Sequence, residues 1–399
     1  MNILVGIGGY PPDFTGAGFR IHRMYRSLKK SENINRVIVL TKIDVKKKEK
    51  RKIFRDGIEI VYVPGCFPNK NSDRNNFISS FLNVLAIVRH ATLTVKCFFG
   101  LWKEIDIVHT IGSGWFENII AYCAIIAQKP IAKEIVLLGT DDPIAISKKN
   151  YFIKLLFLAP FKFSNIIITN SKPLQNACKQ SGIPDYKIWC RPNPIYIEVA
   201  FNYNLSRELQ LLFKMPTILY VGILEKRKNI EFLIESAQYL SRKTQLIFIG
   251  PYSDELYQKS ILFLSEKITK KSNGLASFQF LGRIDDRNKL AEIYRQSSLF
   301  WFASLKEGLP NVVLESLICG TPVVTLPVDG IMKDIFTNNN PELGEIVETD
   351  CPLVFASVVN KWLEKKYDKK LISGKIKEIC DNKKIELGYI EHFQHILNR

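Results

Sequence analysis

Short runs of branched apolar residues recur along the chain, each followed by a longer stretch with helical spacing. In the first half they fall at Ile3–Val5, Val37–Leu40, Ile58–Val63, Ile105–His109, Ile135–Leu138, Ile166–Thr169 and Ile188–Arg191. The series restarts at Thr217–Val221, Leu246–Ile249, Phe278–Leu281, Leu299–Phe302, Pro322–Thr325 and Glu345–Val347. A continuous apolar strand needs cover on both faces, which a parallel sheet flanked by helices supplies. The pattern therefore predicts the α/β class. Asn193–Pro216 carries Pro194, Pro216 and polar residues without a strong period, and reads as a linker. Two doubly wound domains follow, 1–197 and 198–380, with a last helix in 381–399 packing back toward the first. That helix has Ile385, Tyr389, Phe393 and Ile396 on one side. Such domains bind ligands at the carboxyl ends of their strands, here in the cleft between them.

Charge adds an asymmetry. The 399 residues hold 56 Lys and Arg against 39 Asp and Glu, a net +17. Residues 1–200 contribute 29 cations and 15 anions (+14), and the remainder 27 and 24 (+3). Only the first half is built to meet something anionic, whether nucleic acid, a membrane surface or a phosphorylated substrate. With 46% apolar and 24% charged residues, disordered and collagen-like chains are excluded. The eight cysteines show no Cys-x-x-Cys and read as small buried hydrophobes in a reducing compartment. His392 and His395 share a helix face without a further ligand, so no metal site is expected. The N-terminus shows no signal-peptide pattern, and Arg89, His90 and Lys96 interrupt the apolar stretch Phe77–Trp102. A cytoplasmic chain without a spanning helix is expected.

Three segments carry candidate chemistry. Gly8–Gly18 follows the first strand and leads into a helix near Phe19, a turn that lets backbone approach an anion and that fits an ordinary structural turn equally well. It matches neither the dinucleotide fingerprint nor a P-loop. Tyr220–Asn229 holds the same position in the second half, with Lys226, Arg227 and Lys228 crowded together. A diphosphate would offset that repulsion; three solvated side chains would also fit. In Ser304–Leu317, Pro310 and Asn311 mark a helix start, Glu307 lies in the loop before it, and Glu315 sits one turn in. A loop carboxylate suits sugar hydroxyls, a helical one the two hydroxyls of a ribose, and the helix start a leaving phosphate; helix capping and solvated charge would also account for them.

Together these segments resemble the retaining glycosyltransferases of family 4. Supporting matches are Asp106-Ile107-Val108-His109, Thr169-Asn170-Ser171, Arg191-Pro192-Asn193-Pro194, Leu281-Gly282-Arg283 and Tyr294-Arg295-Gln296-Ser297-Ser298. The match is strongest at Glu307–Glu315, the family's Glu-x7-Glu, and at Gly320-Thr321-Pro322-Val323-Val324. The resemblance implies the GT-B fold, two Rossmann-like domains facing a cleft. It makes Glu307 and Lys228 the catalytic pair. Its donor-binding set is Gly16, Gly222, Lys226, Arg227, Lys228, Glu307, Gly308, Leu309, Asn311, Val312 and Glu315. The acceptor side would use His109, Thr140 and Asp141.

Three departures matter. Ile223 stands where the family has Arg, leaving Lys226 or Arg227 to replace it, and Gly139-Thr140-Asp141-Asp142 replaces a segment with an acceptor-side His. Tyr196 stands where the family often has Asp, a change expected to touch only the hinge.

The resemblance further implies transfer from a nucleoside-diphosphate sugar to a glycan or lipid-linked glycan in cell-surface polysaccharide synthesis. Configuration would be retained, with neither cofactor nor metal. Phe77–Trp102 and Lys148–Phe157 mix apolar residues with cations and fit interfacial helices on anionic lipid, as well as ordinary core helices. Peripheral attachment at the inner membrane face follows, with no nucleic-acid partner. A nucleotide-sugar epimerase and a basic nucleic-acid binder are the alternatives.

Overall fold

A computed structural model describes residues 1–11, 16–44, 52–65, 77–197, 213–328, 335–336 and 340–398. Most of the predicted linker, Pro12–Thr15 of the opening loop and Cys66 lie outside these residues. The chain divides into two units, Met1–Pro194 with Lys383–Arg399, and Ile195–Asn382. These boundaries lie three residues before the first predicted one and two after the second.

In the first unit the strands are β1 (Asn2–Ile7), β2 (Arg36–Asp44), β3 (Lys52–Arg55), β4 (Ile58–Gly65), β5 (Ile107–Ile111), β6 (Ile131–Ile135), β7 (Ile166–Thr169) and β8 (Ile188–Cys190). They form one sheet in the order β3-β4-β2-β1-β5-β6-β7-β8. Every pairing is parallel except β3 with β4. The helices are α1 (Gly16–Leu28), α2 (Phe77–Leu101), α3 (Trp115–Ile126), α4 (Pro143–Ser147), α5 (Tyr151–Phe163) and α6 (Lys172–Gln180). Helix α2 packs on α3 and β4, and α3 packs on α5.

The second unit has β9 (Thr217–Val221), β10 (Thr244–Ile249), β11 (Ala276–Phe280), β12 (Leu299–Phe302), β13 (Val323–Thr325) and β14 (Gly344–Ile346). They form a wholly parallel sheet in the order β11-β10-β9-β12-β13-β14. Its helices are α7 (Ile230–Ser236), α8 (Glu255–Lys271), α9 (Arg287–Gln296), α10 (Asn311–Ile318), α11 (Pro352–Glu364) and α12 (Lys369–Ile379). The core joins Ile218, Tyr220, Phe248, Phe300, Trp301 and Trp362, all at most 2% exposed. Two doubly wound sheets are what the recurring apolar runs require.

Two strands differ from the sequence reading. Strand β3, KIFR, is an exposed antiparallel edge with no apolar run to signal it. Strand β6 spans Ile131–Ile135, four residues before the predicted Ile135–Leu138, because two charges interrupt its apolar run. Both are buried and partnered. Lys133 donates to the Gly112 carbonyl (3.1 Å) and lies 4.9 Å over the Phe161 ring. Burial lowers its ammonium to about 8, with Glu117 and Asp141 opposing.

Glu134 is the centre of a buried network. Its carboxylate pairs with Arg20 on one oxygen and, at 2.8 Å, with Arg191 on the other. Helix α13 (Asn382–Leu397) joins it through Tyr389, whose hydroxyl donates to Glu134 at 2.6 Å while its ring lies 5.1 Å from the Arg191 guanidinium. Burial would raise the Glu134 pKa, but Arg191 and Arg20 reverse this and hold it well below the carboxylate range. The last helix is thus fastened to the first unit by charge as well as by Ile385, Phe393 and Ile396.

Candidate functional site

The second unit collects most of the candidate residues where β9 and β12, adjacent in the sheet, reach their carboxyl ends. Beyond β9 the chain turns at Gly222, whose φ of +153° suits glycine. A Cβ on Gly250 would sit 1.9 Å from the Gly222 carbonyl oxygen, so the two turns close only as glycines. A short 3-10 turn, Lys226–Lys228, follows and ends at Asn229 in the left-handed region. The loop beyond β12 is tied to it: the Leu305 N–H donates to the Arg227 carbonyl at 2.9 Å.

Glu307 is the focus of these loops. Its Oε1 accepts from Lys228 Nζ, from Arg227 Nη1 (3.1 Å) and from the Ser304 hydroxyl (2.8 Å). Arg227 also pairs with Glu225 (2.7 Å) and donates to the Lys306 carbonyl. Lys226 is exposed and apart from this cluster. Of Lys226 and Arg227, the two candidates for the Arg missing at Ile223, Arg227 is the one beside Glu307. The arrangement is a part-buried carboxylate flanked by two cations, suited to hydroxyls on one side and phosphate oxygens on the other.

Gly308 and Leu309 are buried, and Asn311 and Val312 half-buried at the start of α10, which no side chain caps. Glu315, one turn in, is buried and accepts from Arg287 Nη2 at 2.6 Å, with the Tyr294 hydroxyl at 3.4 Å. Burial opposes the Arg287 charge, yet Glu315 holds its pKa above the ordinary arginine value. The sequence reading missed Arg287. A signal existed: a cation in the first residue of α9 is opposed by the helix dipole and calls for an anionic partner.

The first unit holds the other candidates. Gly16 opens α1 and is exposed, three residues before the predicted helix start. His109 requires a correction. It is fully buried on β5, with Nδ1 2.6 Å from the Tyr25 hydroxyl and Nε2 3.3 Å from Glu134. Burial lowers its pKa despite Glu134. It is a core group, closed to an acceptor. Thr140 and Asp141 instead line a cavity of about 350 Å³ with Ser113, Gly114, Trp115, Lys149, Ile153 and Phe157. The Trp115 ring meets Phe157 edge-on at 4.8 Å, and the Lys149 ammonium lies 4.7 Å from Phe157. Burial raises the Asp141 carboxyl pKa, with Lys133 opposing. A carboxyl, hydroxyls and an exposed indole are groups that hold a sugar ring.

Among the described residues no group of three His, Cys, Asp or Glu is placed to hold a metal ion.

Residues 204–382 match the family model described as glycosyl transferases group 1. A Campylobacter jejuni relative, N,N'-diacetylbacillosaminyl-diphospho-undecaprenol alpha-1,3-N-acetylgalactosaminyltransferase, is 23% identical over 194 residues, 46% of this chain and 48% of the relative. The same organism's N-acetylgalactosamine-N,N'-diacetylbacillosaminyl-diphospho-undecaprenol 4-alpha-N-acetylgalactosaminyltransferase is 27% identical over 244 residues, 59% of this chain and 62% of the relative. The chain thus spans about half to three fifths of these relatives' length. HepE from Anabaena, solved with UDP and glucose, superposes with a TM-score of 0.71 at 15% identity, covering 99% of this chain and 100% of that one. The fold is GT-B. The family model and the relatives support the GT-B glycosyltransferase superfamily, and the two units of this GT-B chain carry the residue sets just described.

Proposed function

We propose that the chain moves a sugar from a nucleoside-diphosphate sugar to a hydroxyl of a lipid-linked glycan, with retention of configuration and without a metal. The observation that carries this is Glu307 held by Lys228 and Arg227, on a loop that leads into the helix bearing Glu315. In this reading Glu315 takes the ribose hydroxyls, Glu307 a hydroxyl of the donor sugar, and Lys228 and Arg227 the diphosphate. The bond between anomeric carbon and diphosphate oxygen breaks. The acceptor oxygen bonds to that carbon on the same face, and its proton passes to the departing diphosphate. Rate enhancement comes from orientation and from the two cations stabilising the leaving charge. The cavity at Thr140, Asp141 and Trp115 receives the acceptor sugar.

The names of the Campylobacter jejuni relatives support a diphospho-undecaprenol-linked acceptor for this chain as well. The test is donor turnover against UDP-, GDP-, ADP- and CMP-sugars, followed by transfer to a polyprenyl-diphosphate glycan with NMR of the new linkage. Retained configuration and indifference to a chelator are expected. Inverted product, or activity lost with the metal, overturns the mechanism; no turnover of any donor overturns the function.

A further inference from the structure

Helices α2, α3 and α5 lie side by side in the first unit and present apolar residues outward as well as inward. On α2 the outward stripe is Leu85, Val88, Thr92, Val95 and Phe99, at the three-and-four spacing of one helix face, all exposed. Its opposite face packs on the sheet side through Thr94 and Phe98, with His90 stacked on Phe116 at 5.5 Å. Helix α3 continues the surface with Trp115 and Ile126, and α5 with Tyr151, Phe152, Leu155, Leu156 and Phe163. The Tyr122 hydroxyl donates to the Leu156 carbonyl at 2.8 Å, tying α3 to α5.

A helix apolar all round is normally enclosed. Here the segment Leu85–Glu104 reaches the length and mean hydropathy, 1.2, of a membrane-crossing helix and yet is only 11% buried. Arg89, His90 and Lys96 break its uncharged run, yet its mean hydropathy stays at that level. Crossing a bilayer would strip α2 from β4 and α3, exposing Phe98 and the core beneath.

Charge identifies the occupant. Helices α2 and α5 contain no acidic residue, and Glu117, the one acid of α3, is buried. Arg89, Lys96, Lys148, Lys149, Lys154 and Lys162 border the apolar stripes. A second copy of this chain would bring like charges together, whereas an anionic lipid headgroup layer offsets them and accepts the apolar side chains below it.

We infer that the outer faces of α2, α3 and α5 form one seat for an anionic bilayer, with α2 lying in the plane of the interface. The same edge carries the cavity lined by Trp115 and Lys149, so a lipid-linked acceptor reaches it without leaving the membrane. The lipid contact stands independently of the proposed sugar transfer, and its test uses no sugar nucleotide.

The experiment is flotation of the full chain with phosphatidylcholine vesicles, with and without phosphatidylglycerol, at low and high salt. Wild type is expected to float with the anionic vesicles and more weakly at high salt. A Phe152→Glu/Leu155→Glu variant, and separately Val88→Glu/Val95→Glu, should bind about tenfold more weakly or less. All four side chains are exposed, so unchanged circular dichroism and melting temperature are the control for folding. Phe263→Glu, on an exposed position of α8, should bind as wild type. Absence of wild-type flotation, wild-type binding by both double variants, or lipid-free self-association that those variants abolish would each overturn the inference.

Discussion

Arg191 and Glu134 meet at 2.8 Å inside the first unit, both shut away from solvent. The same carboxylate takes Arg20 and the Tyr389 hydroxyl, so one side chain joins α1, the end of β8 and the last helix. Removing it would leave two guanidinium groups buried without their anion. Glu134→Ala should lower stability by about 3–5 kcal/mol. Tyr389→Phe, which spares both arginine pairs, should cost about 1–2 kcal/mol. Urea unfolding followed through Trp189, 4.9 Å from Tyr389, reads both. An effect of Glu134→Ala below that of Tyr389→Phe would show that the network does not hold the helix.

Lys228 and Arg227 converge on Glu307 in a part-buried loop. If they stabilise the departing diphosphate, Lys228→Ala should reduce turnover about 100- to 1000-fold. Glu307→Gln keeps an acceptor for Ser304 but removes the charge between the cations, and a comparable loss is expected. Melting temperatures near wild type are the companion measurement. Near-normal turnover in both variants would remove the catalytic assignment.

In the proposed function Arg287 is a positioning residue that acts through Glu315. Arg287→Met should raise the donor KM about tenfold, one lost charge-assisted hydrogen bond's worth, with a smaller change in kcat. Arg287→Lys should recover part of the affinity, because a single nitrogen makes the contact. A purely structural role would instead lower the melting temperature and leave KM alone.

His109 links stability to pH. Burial depresses its folded pKa, so below about pH 6.5 the unfolded chain binds a proton that the folded ring refuses. Its contribution to stability is full above that value and declines as pH falls, by up to about 1.4 kcal/mol per unit. Melting curves between pH 7.5 and 5.5 should show a shallower slope for His109→Asn than for wild type. An identical slope would place the pH dependence elsewhere.

The loop and helix that carry Glu307 and Glu315, and the turn that carries Lys228, were readable in the sequence. Glu307, Lys228 and Glu315 were legible because local rules set them: Pro310 and Asn311 start a helix at a position their own chemistry chooses, and the glycine turn after β9 fixes where the cations stand. Strand β6 was misplaced because local rules cannot see partners. Lys133 and Glu134 interrupt an apolar run, and only Gly112, Arg20, Arg191 and Tyr389, distant in sequence, make them acceptable in the interior. His109 was misjudged for the same reason. It lies on a strand whose register is readable, but whether its face opens on solvent or on α13 depends on where residues 383–399 return.

Apolar periodicity, turn chemistry and charge composition follow from each residue and its neighbours along the chain, and they determined the class of fold, the division into two units and the loop and helix that carry Glu307 and Glu315. Burial of charge, the choice of Arg227 over Lys226 beside Glu307, and the pairing of Arg287 with Glu315 were decided by tertiary structure. Each depends on groups tens or hundreds of residues apart coming within about 3 Å, where desolvation and Coulomb attraction outweigh local preference.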